Sequence, residues 1–307
     1  MDPVGCRSAF IHLKNEAISA LARISTRCRR CRAPSSGPFP ASQRKNPMSY
    51  RTLLLEIEET VAVLRLNRPQ RRNAMSDEMA GEFSSALDAV ENSDAKALVL
   101  TGNGRAFCAG GDLQGFLQWA GADPAQVEAG LRQFYGSFLR ILDLPIPTVA
   151  AVNGPAVGAG ACLAAACDLR VASEDASIGF TFVKLGINPG MGAEFLLHRL
   201  VGQAKAVELL ITGEVLPAAE AHRIGLFTRV VPGETLVKEA MDTARSLARL
   251  PASICRIVKQ NTAAAASDPL DRILQREAEN QAPIFTDAAF QKKIQKMIRE
   301  PGADEDA

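Results

Sequence analysis

Apolar and polar positions along this chain fall into two successive patterns. From residue 52 the pattern is that of alternating strands and helices. "TLLLEIEETVAVLRLN" (52–67) reads as two strands around a Glu-Glu-Thr turn. "RPQRRNAMS" is a polar loop whose Ser76 stands ready to cap a helix beginning "DEMAGEF". In that helix Met79, Phe83, Ala86, Leu87 and Val90 recur at helical spacing. "KALVLTGN" is an unbroken apolar run of the buried parallel type. The glycine-rich loop "GRAFCAGGDLQGF" follows, then a helix around 125–142, the strand "IPTVAAVNG", a small-residue helix at 158–166 and the strand "DLRVAS". Strand, glycine turn, helix and strand, given twice, is the grammar of βαβ units and predicts an α/β core. Past residue 190 the pattern turns almost wholly helical, at about 192–201, 204–212, 216–223, 234–249, 251–266, 268–282 and 287–299. Gly213, Gly225 and Pro251 mark breaks.

Composition divides the chain further. Residues 1–47 hold nine Lys/Arg and two acids (Asp2 and Glu16), whereas the remaining 26 basic and 32 acidic residues leave the body acidic. An acidic body argues against nucleic acid as a partner. No apolar run reaches the roughly 18 to 20 residues that span a bilayer, so no membrane partner is expected. The reading is therefore a disordered basic leader at 1–47, a core at 48–250 and a helical C-terminal region at 251–307. Three accounts of the leader stand side by side: a mitochondrial presequence ("AISALARISTRCRR" is basic and hydroxyl-bearing), a disordered arm, or an upstream extension with Met48 as the functional start. Localisation follows as cytoplasmic, or as the mitochondrial matrix if the presequence account holds. "CRRCR" has CxxC spacing, but no second ligand pair follows, and no metal is expected. The body cysteines, Cys108, Cys162, Cys167 and Cys255, lie in apolar contexts and read as reduced, buried thiols.

Two loops carry the candidate chemistry, and neither is a nucleotide motif. "AFCAGGDL" closes the first βαβ unit and "AVGAGACL" the second. Both crowd small residues at the end of a strand, where main-chain N–H groups can point into one cleft and side chains are kept out of the way. Two convergent N–H groups make an oxyanion hole for a carbonyl gaining charge.

"LNRPQRRNAMS", "LTGNGRAFCAGGDL", "PTVAAVNGPAVGAGACLAAACDLRVASEDASIGF" and "KLGINPGMGAEFLLHRLVG" resemble successive signatures of the crotonase (enoyl-CoA hydratase/isomerase) superfamily, over about residues 50 to 300. The resemblance implies a crotonase-type ββα spiral core with a helical C-terminal trimerisation region, a homotrimer or hexamer, and an acyl-CoA thioester substrate. No metal or redox cofactor is implied, CoA being part of the substrate. By motif position Ala109 and Ala159 supply the oxyanion-hole amides. Gly110, Gly111 and Asp112 complete the binding loop, with Asp112 fixing it, and Arg299 on the last helix is placed to meet CoA phosphates.

The acids are the discordant part. Hydratases of the family use two glutamates, and the matching positions here are Cys162 and Phe182. Isomerases that place an acid after the Pro of the "NPG" turn put it where this chain has Gly190. Glu194, in the first turn of the next helix, is the remaining carboxylate for proton transfer. The expected function is thus an acyl-CoA-binding enzyme of the enoyl-CoA hydratase/isomerase family that stabilises a thioester enolate. Single-acid isomerase or related enolate chemistry without hydratase activity is one alternative. A catalytically silent acyl-CoA-binding subunit is the other.

Overall fold

The computed structural model describes residues 50–119, 121–265, 270–286, 288, 290 and 292. The basic leader, the 293–299 part of the expected last helix and Arg299 lie outside the described residues. Two compact units divide the chain, the first ending at Arg249 and the second beginning at Leu250.

The first unit is built on a six-stranded sheet. Strands β1 (Leu53–Glu58) and β2 (Val61–Leu66) form the antiparallel hairpin that the alternating pattern predicts, with Glu59 at φ 56° in the turn. Helix α1 (Asp77–Glu91) follows, and the Ser76 side chain accepts from Met79 N at 3.3 Å as its cap. Strand β3 (Ala97–Gly102), helices α2 (Leu113–Leu117) and α3 (Pro124–Leu139), and strands β4 (Thr148–Val152) and β5 (Ala156–Val157) come next. Helix α4 (Ala159–Ala165) and strands β6 (Leu169–Ser173) and β7 (Ser177–Gly179) complete the second βαβ unit. Beyond it stand α5 (Ala193–Thr212), β8 (Val215–Pro217), α6 (Ala218–Arg223), β9 (Arg229–Val231) and α7 (Leu236–Ala248). The main sheet runs β1-β2-β3-β4-β6-β9, parallel from β2 onward, and β5-β7-β8 form a second, smaller sheet.

Period-two alternation sends the sheet's side chains into two cores. Ala62, Leu64, Leu66, Leu98, Leu100, Ala150 and Val152 face one side with Met79, Phe83 and Phe138. Val61, Val63, Ala97, Val99, Val149, Ala151 and Val171 face the other, under the α7 stripe Leu236, Ala240, Met241, Ala244 and Ala248. A sheet covered on both faces accounts for strands that read as continuous apolar runs.

The region past residue 190 is less uniformly helical than the sequence pattern suggests. Leu216 and Pro217, expected at the start of a helix, instead belong to the strand Val215–Pro217 that pairs with β7, and Arg229–Val231 extends the main sheet beside β6. Strands this short take their pairing from the sheet edge they meet, not from a periodic signal of their own. The two helices expected at 192–201 and 204–212 form one run broken at Gly202 (φ 76°, ψ 165°). In the second unit, α8 (Ala252–Ala265) and α9 (Leu270–Thr286) are joined by Asn280 Nδ2 donating to Asn261 Oδ1 at 3.3 Å. No helix among the described residues is long and apolar enough to cross a membrane.

Asn73 locks the polar loop before α1 onto the first glycine-rich loop. It is fully buried, in the left-handed region at φ 57°. Its Oδ1 accepts from Arg68 N at 2.9 Å, and Nδ2 faces the carbonyls of Ala106 (2.9 Å), Asn103 (3.0 Å) and Phe107 (3.2 Å). Asn73→Ala leaves buried groups unsatisfied, at about 1–3 kcal/mol each. A loss of about 3 kcal/mol or more is expected. The melting temperature should then fall by about 6–12 °C at roughly 2–4 °C per kcal/mol. A drop of only a degree or two in thermal unfolding would refute this role.

Candidate functional site

The two small-residue loops meet, and the glycines are what let them. A Cβ on Gly110 (φ 95°) would stand 2.8 Å from Val157 O and 3.5 Å from Ala159 N. A Cβ on Gly160 would stand 2.6 Å from Cys108 Cβ and would also press on the Cys108 carbonyl. Any side chain at either position would drive the loops apart. Backbone hydrogen bonds stitch the contact: Cys108 N donates to Pro155 O (3.2 Å) and Val157 N to Cys108 O (2.9 Å).

An amide serves a ligand only if the fold leaves it unengaged. In the first loop Ala109 N donates to Arg72 O at 2.9 Å and Asp112 N to Met75 O at 2.8 Å, while Gly110 N faces the Cys108 sulfur. Gly111 N alone among these donates no hydrogen bond to the described residues. Gly110 O (accepting from Met75 N at 2.8 Å) and Asp112 N both turn toward Met75, so the Gly111 amide turns the other way. The expectation that Ala109 supplies the first donor is therefore corrected. Ala109 is tied to the loop before α1, and the free amide lies two residues further on. In the second loop Gly158 N is held by Gly179 O (2.8 Å), and the first intrahelical bond of α4 runs from Cys162 N to Gly158 O (3.1 Å). Ala159 N, at the first helical position, has no intrahelical acceptor and donates to none of the described residues.

Asp112, expected beside the substrate, commits both carboxylate oxygens to the loop itself. Oδ2 accepts from Arg68 Nη2 at 3.0 Å and Oδ1 from Gln114 N at 3.2 Å. Its part is to hold Gly110 and Gly111 in place.

Two of the three positions where acids are expected, Cys162 and Gly190, are in contact, and none of the three offers a carboxylate. Cys162 is fully buried on α4, its thiol donating to Gly190 O at 3.6 Å. Burial pushes the thiol well above its ordinary range, outweighing any help from the helix start. Cys108 is likewise buried and is pushed up to about 12 by burial. Neither is a thiolate at neutral pH. Cys167 is buried too, whereas Cys255, read from sequence as buried, is partly exposed. Phe182 is nearly buried in the 3-10 turn Thr181–Leu185. Gly190 faces the Tyr135 hydroxyl, and a Cβ there would lie 2.6 Å from Tyr135 Oη.

Glu194 stands exposed in the first turn of α5, off the stripe of Ala193, Leu196 and Leu197 that packs inward. Among the described residues no hydrogen bond or ion pair ties it to the two loops. Tyr135, which sequence reading passed over, reaches the turn at Gly190 instead. It projects from α3 with its ring edge-on to Phe134 (centroids 6.3 Å apart). The signal that points to it is Gly190, a position with no side chain where the family resemblance calls for one.

A parallel sheet whose glycine-rich crossover loops abut, each presenting an unengaged amide, is the build of the crotonase class. The chain belongs to the enoyl-CoA hydratase/isomerase family, whose profile matches residues 56–300. It is 38% identical over 252 residues to the 1,2-epoxyphenylacetyl-CoA isomerase of Escherichia coli, covering 80% of this chain and 95% of that one. It is 37% identical over 252 residues to a Rhodobacter capsulatus protein named "Probable enoyl-CoA hydratase", covering 82% and 96% respectively. Among solved structures, an enoyl-CoA hydratase from Polaromonas superposes with a TM-score of 0.75 at 30% identity, covering 80% of this chain and 96% of that one. Relatives named for hydration and for isomerisation are thus both close. The family acts on acyl-CoA thioesters, and the choice of reaction rests on the residues of this site.

Proposed function

We propose that this protein binds an acyl-CoA thioester with its carbonyl oxygen between the N–H groups of Gly111 and Ala159, and that it catalyses single-acid chemistry through the enolate. The observation that carries the reading is the pair of unengaged amides on abutting loops. As charge moves from Cα onto the thioester oxygen, two fixed donors stabilise it without reorganising. Water addition needs in addition a base for the water and an acid for Cα. Cys162, Phe182 and Gly190 supply neither, so double-bond isomerisation or another enolate reaction fits the site better than hydration. CoA enters as part of the substrate, and no step calls on a metal or redox centre. We further propose that the chain works as a homotrimer or hexamer. Phe195, Val207 and Ile211 on α5 are exposed, apolar surface of the kind a neighbouring copy covers.

Calorimetric titration with butyryl-CoA and with its thioether analogue, which lacks the carbonyl, tests the site. The thioester should bind at least tenfold more tightly. At a hundredfold excess over its Kd it should stabilise the fold by about 2.7 kcal/mol. Equal affinity for the two compounds would remove the carbonyl from between the amides.

A further inference from the structure

The family acids are missing from α4, from the 3-10 turn and from the turn before α5, yet one polar side-chain group reaches the place they vacate. Tyr135 Oη occupies the space that a side chain at 190 would fill, since a Cβ built there would lie 2.6 Å from the hydroxyl and 3.1 Å from Cζ. The neighbouring Gly192 would meet Leu139 Cδ1 at 3.5 Å. Tyr135 and Leu139, four residues apart on α3, therefore form one face seated against the 190–192 turn. The Gly190 carbonyl in turn accepts from Cys162 Sγ. Cys162 lies three residues along α4 from Ala159, a rise of about 4.5 Å from the free amide. The hydroxyl makes no hydrogen bond to the described residues. In a site where every carboxylate position is empty, a half-buried phenol with a free O–H is the group able to hand over a proton.

We propose that the Tyr135 hydroxyl is the proton donor of this site, standing in from α3 for the carboxylates absent at positions 162, 182 and 190. The inference rests on the acyl-CoA reading above. In the step it performs, the phenolic O–H bond breaks as a C–H bond forms at the enolate carbon. The enolate electron pair becomes that C–H bond, the thioester carbonyl re-forms, and the phenolate recovers a proton from water. By microscopic reversibility the phenolate form of the same oxygen takes the Cα proton in the other direction, as the C–H electron pair moves into the enolate, and wash-in runs through that minor form. Burial raises the phenol above its ordinary value, which keeps it protonated and a donor at neutral pH. Gly190 is then part of the device, because any side chain there would displace the hydroxyl.

The test is wash-in of deuterium from D2O at Cα of butyryl-CoA, followed by mass spectrometry on the full chain, with calorimetric binding of the same compound alongside. Wild type should exchange. Tyr135→Phe, which keeps the ring and its contact with Phe134, should exchange at least a hundredfold more slowly, in line with the contribution of a positioned acid or base. Its affinity should stay within threefold. Gly190→Ala should lose exchange in parallel, while Glu194→Gln should stay within threefold of wild type. Exchange by Tyr135→Phe at the wild-type rate would overturn the proposal. So would a Glu194→Gln variant that alone loses exchange. A wild type that binds butyryl-CoA without exchanging it would overturn the role of Tyr135 while leaving the binding site standing. Absence of binding would instead overturn the acyl-CoA reading itself.

Discussion

Crotonyl-CoA is expected to hydrate on this protein at least a thousandfold more slowly than on a hydratase that carries both glutamates and is assayed beside it. Hydration requires a base to activate water and an acid to protonate Cα, and each typically contributes 10²- to 10⁴-fold. Losing both costs roughly 10⁴ or more, about 5.5 kcal/mol of barrier at 1.36 kcal/mol per decade. None of the three standard positions compensates. The Cys162 thiol is sealed from solvent and raised by burial, Phe182 is apolar, and Gly190 has no side chain. Tyr135 offers one proton-transfer group where hydration needs two. The assay is loss of the conjugated enoyl absorbance under saturating substrate. A rate within tenfold of the two-glutamate enzyme would show that a second acid–base group acts here.

Replacing Gly111 by proline should lower any enolate reaction of the protein by about 10²- to 10³-fold, the usual cost of one oxyanion-hole donor, or about 2.7–4 kcal/mol. The Gly111 amide donates to no described residue, so the change removes the proposed donor without removing a structural bond. The preceding Gly110, at φ 95°, is already outside the right-handed helical region that proline disfavours in its neighbour. The melting temperature should accordingly stay within a few degrees of wild type. Ala109→Pro should do the reverse at the level of stability. It deletes the bond to Arg72 O and loosens the clamp between the loops, with a fall in melting temperature larger than that of Gly111→Pro. Paired deuterium-exchange and thermal-unfolding measurements on the two variants separate the roles. Full activity in Gly111→Pro would remove that amide from the site.

Much of this arrangement is legible in the residues. The β1–β2 hairpin, the capped helix α1 and both βαβ units follow from alternation, apolar spacing and Ser76. The paired loops follow from the density of Gly and Ala in "AFCAGGDL" and "AVGAGACL". Which amide is free does not. That depends on Arg72 O and Met75 O, acceptors more than thirty residues upstream, and on the peptide at Gly110, whose positive φ breaks the regular alternation of amide directions. Motif position points to Ala109, whose amide is taken by Arg72 O, whereas the Gly111 amide donates to no described residue. Tyr135 was hidden for a similar reason. The spacing around 125–142 predicts a helix, but the face of α3 that meets the 190–192 turn is set by packing between segments far apart in sequence. The short strands β8 and β9 carry too few residues to announce a period of their own.

The proposed site polarises a thioester carbonyl between the Gly111 and Ala159 amides. It is tested most directly by the ¹³C resonance of butyryl-CoA labelled at the carbonyl carbon, recorded free, bound to wild type and bound to Gly111→Pro. Two hydrogen bonds to the oxygen draw electron density from the carbon. Binding to wild type should displace the resonance clearly downfield, and in Gly111→Pro it should return most of the way to the free position. A bound resonance that matches the free one in wild type, or a displacement that survives intact in Gly111→Pro, would contradict that polarisation.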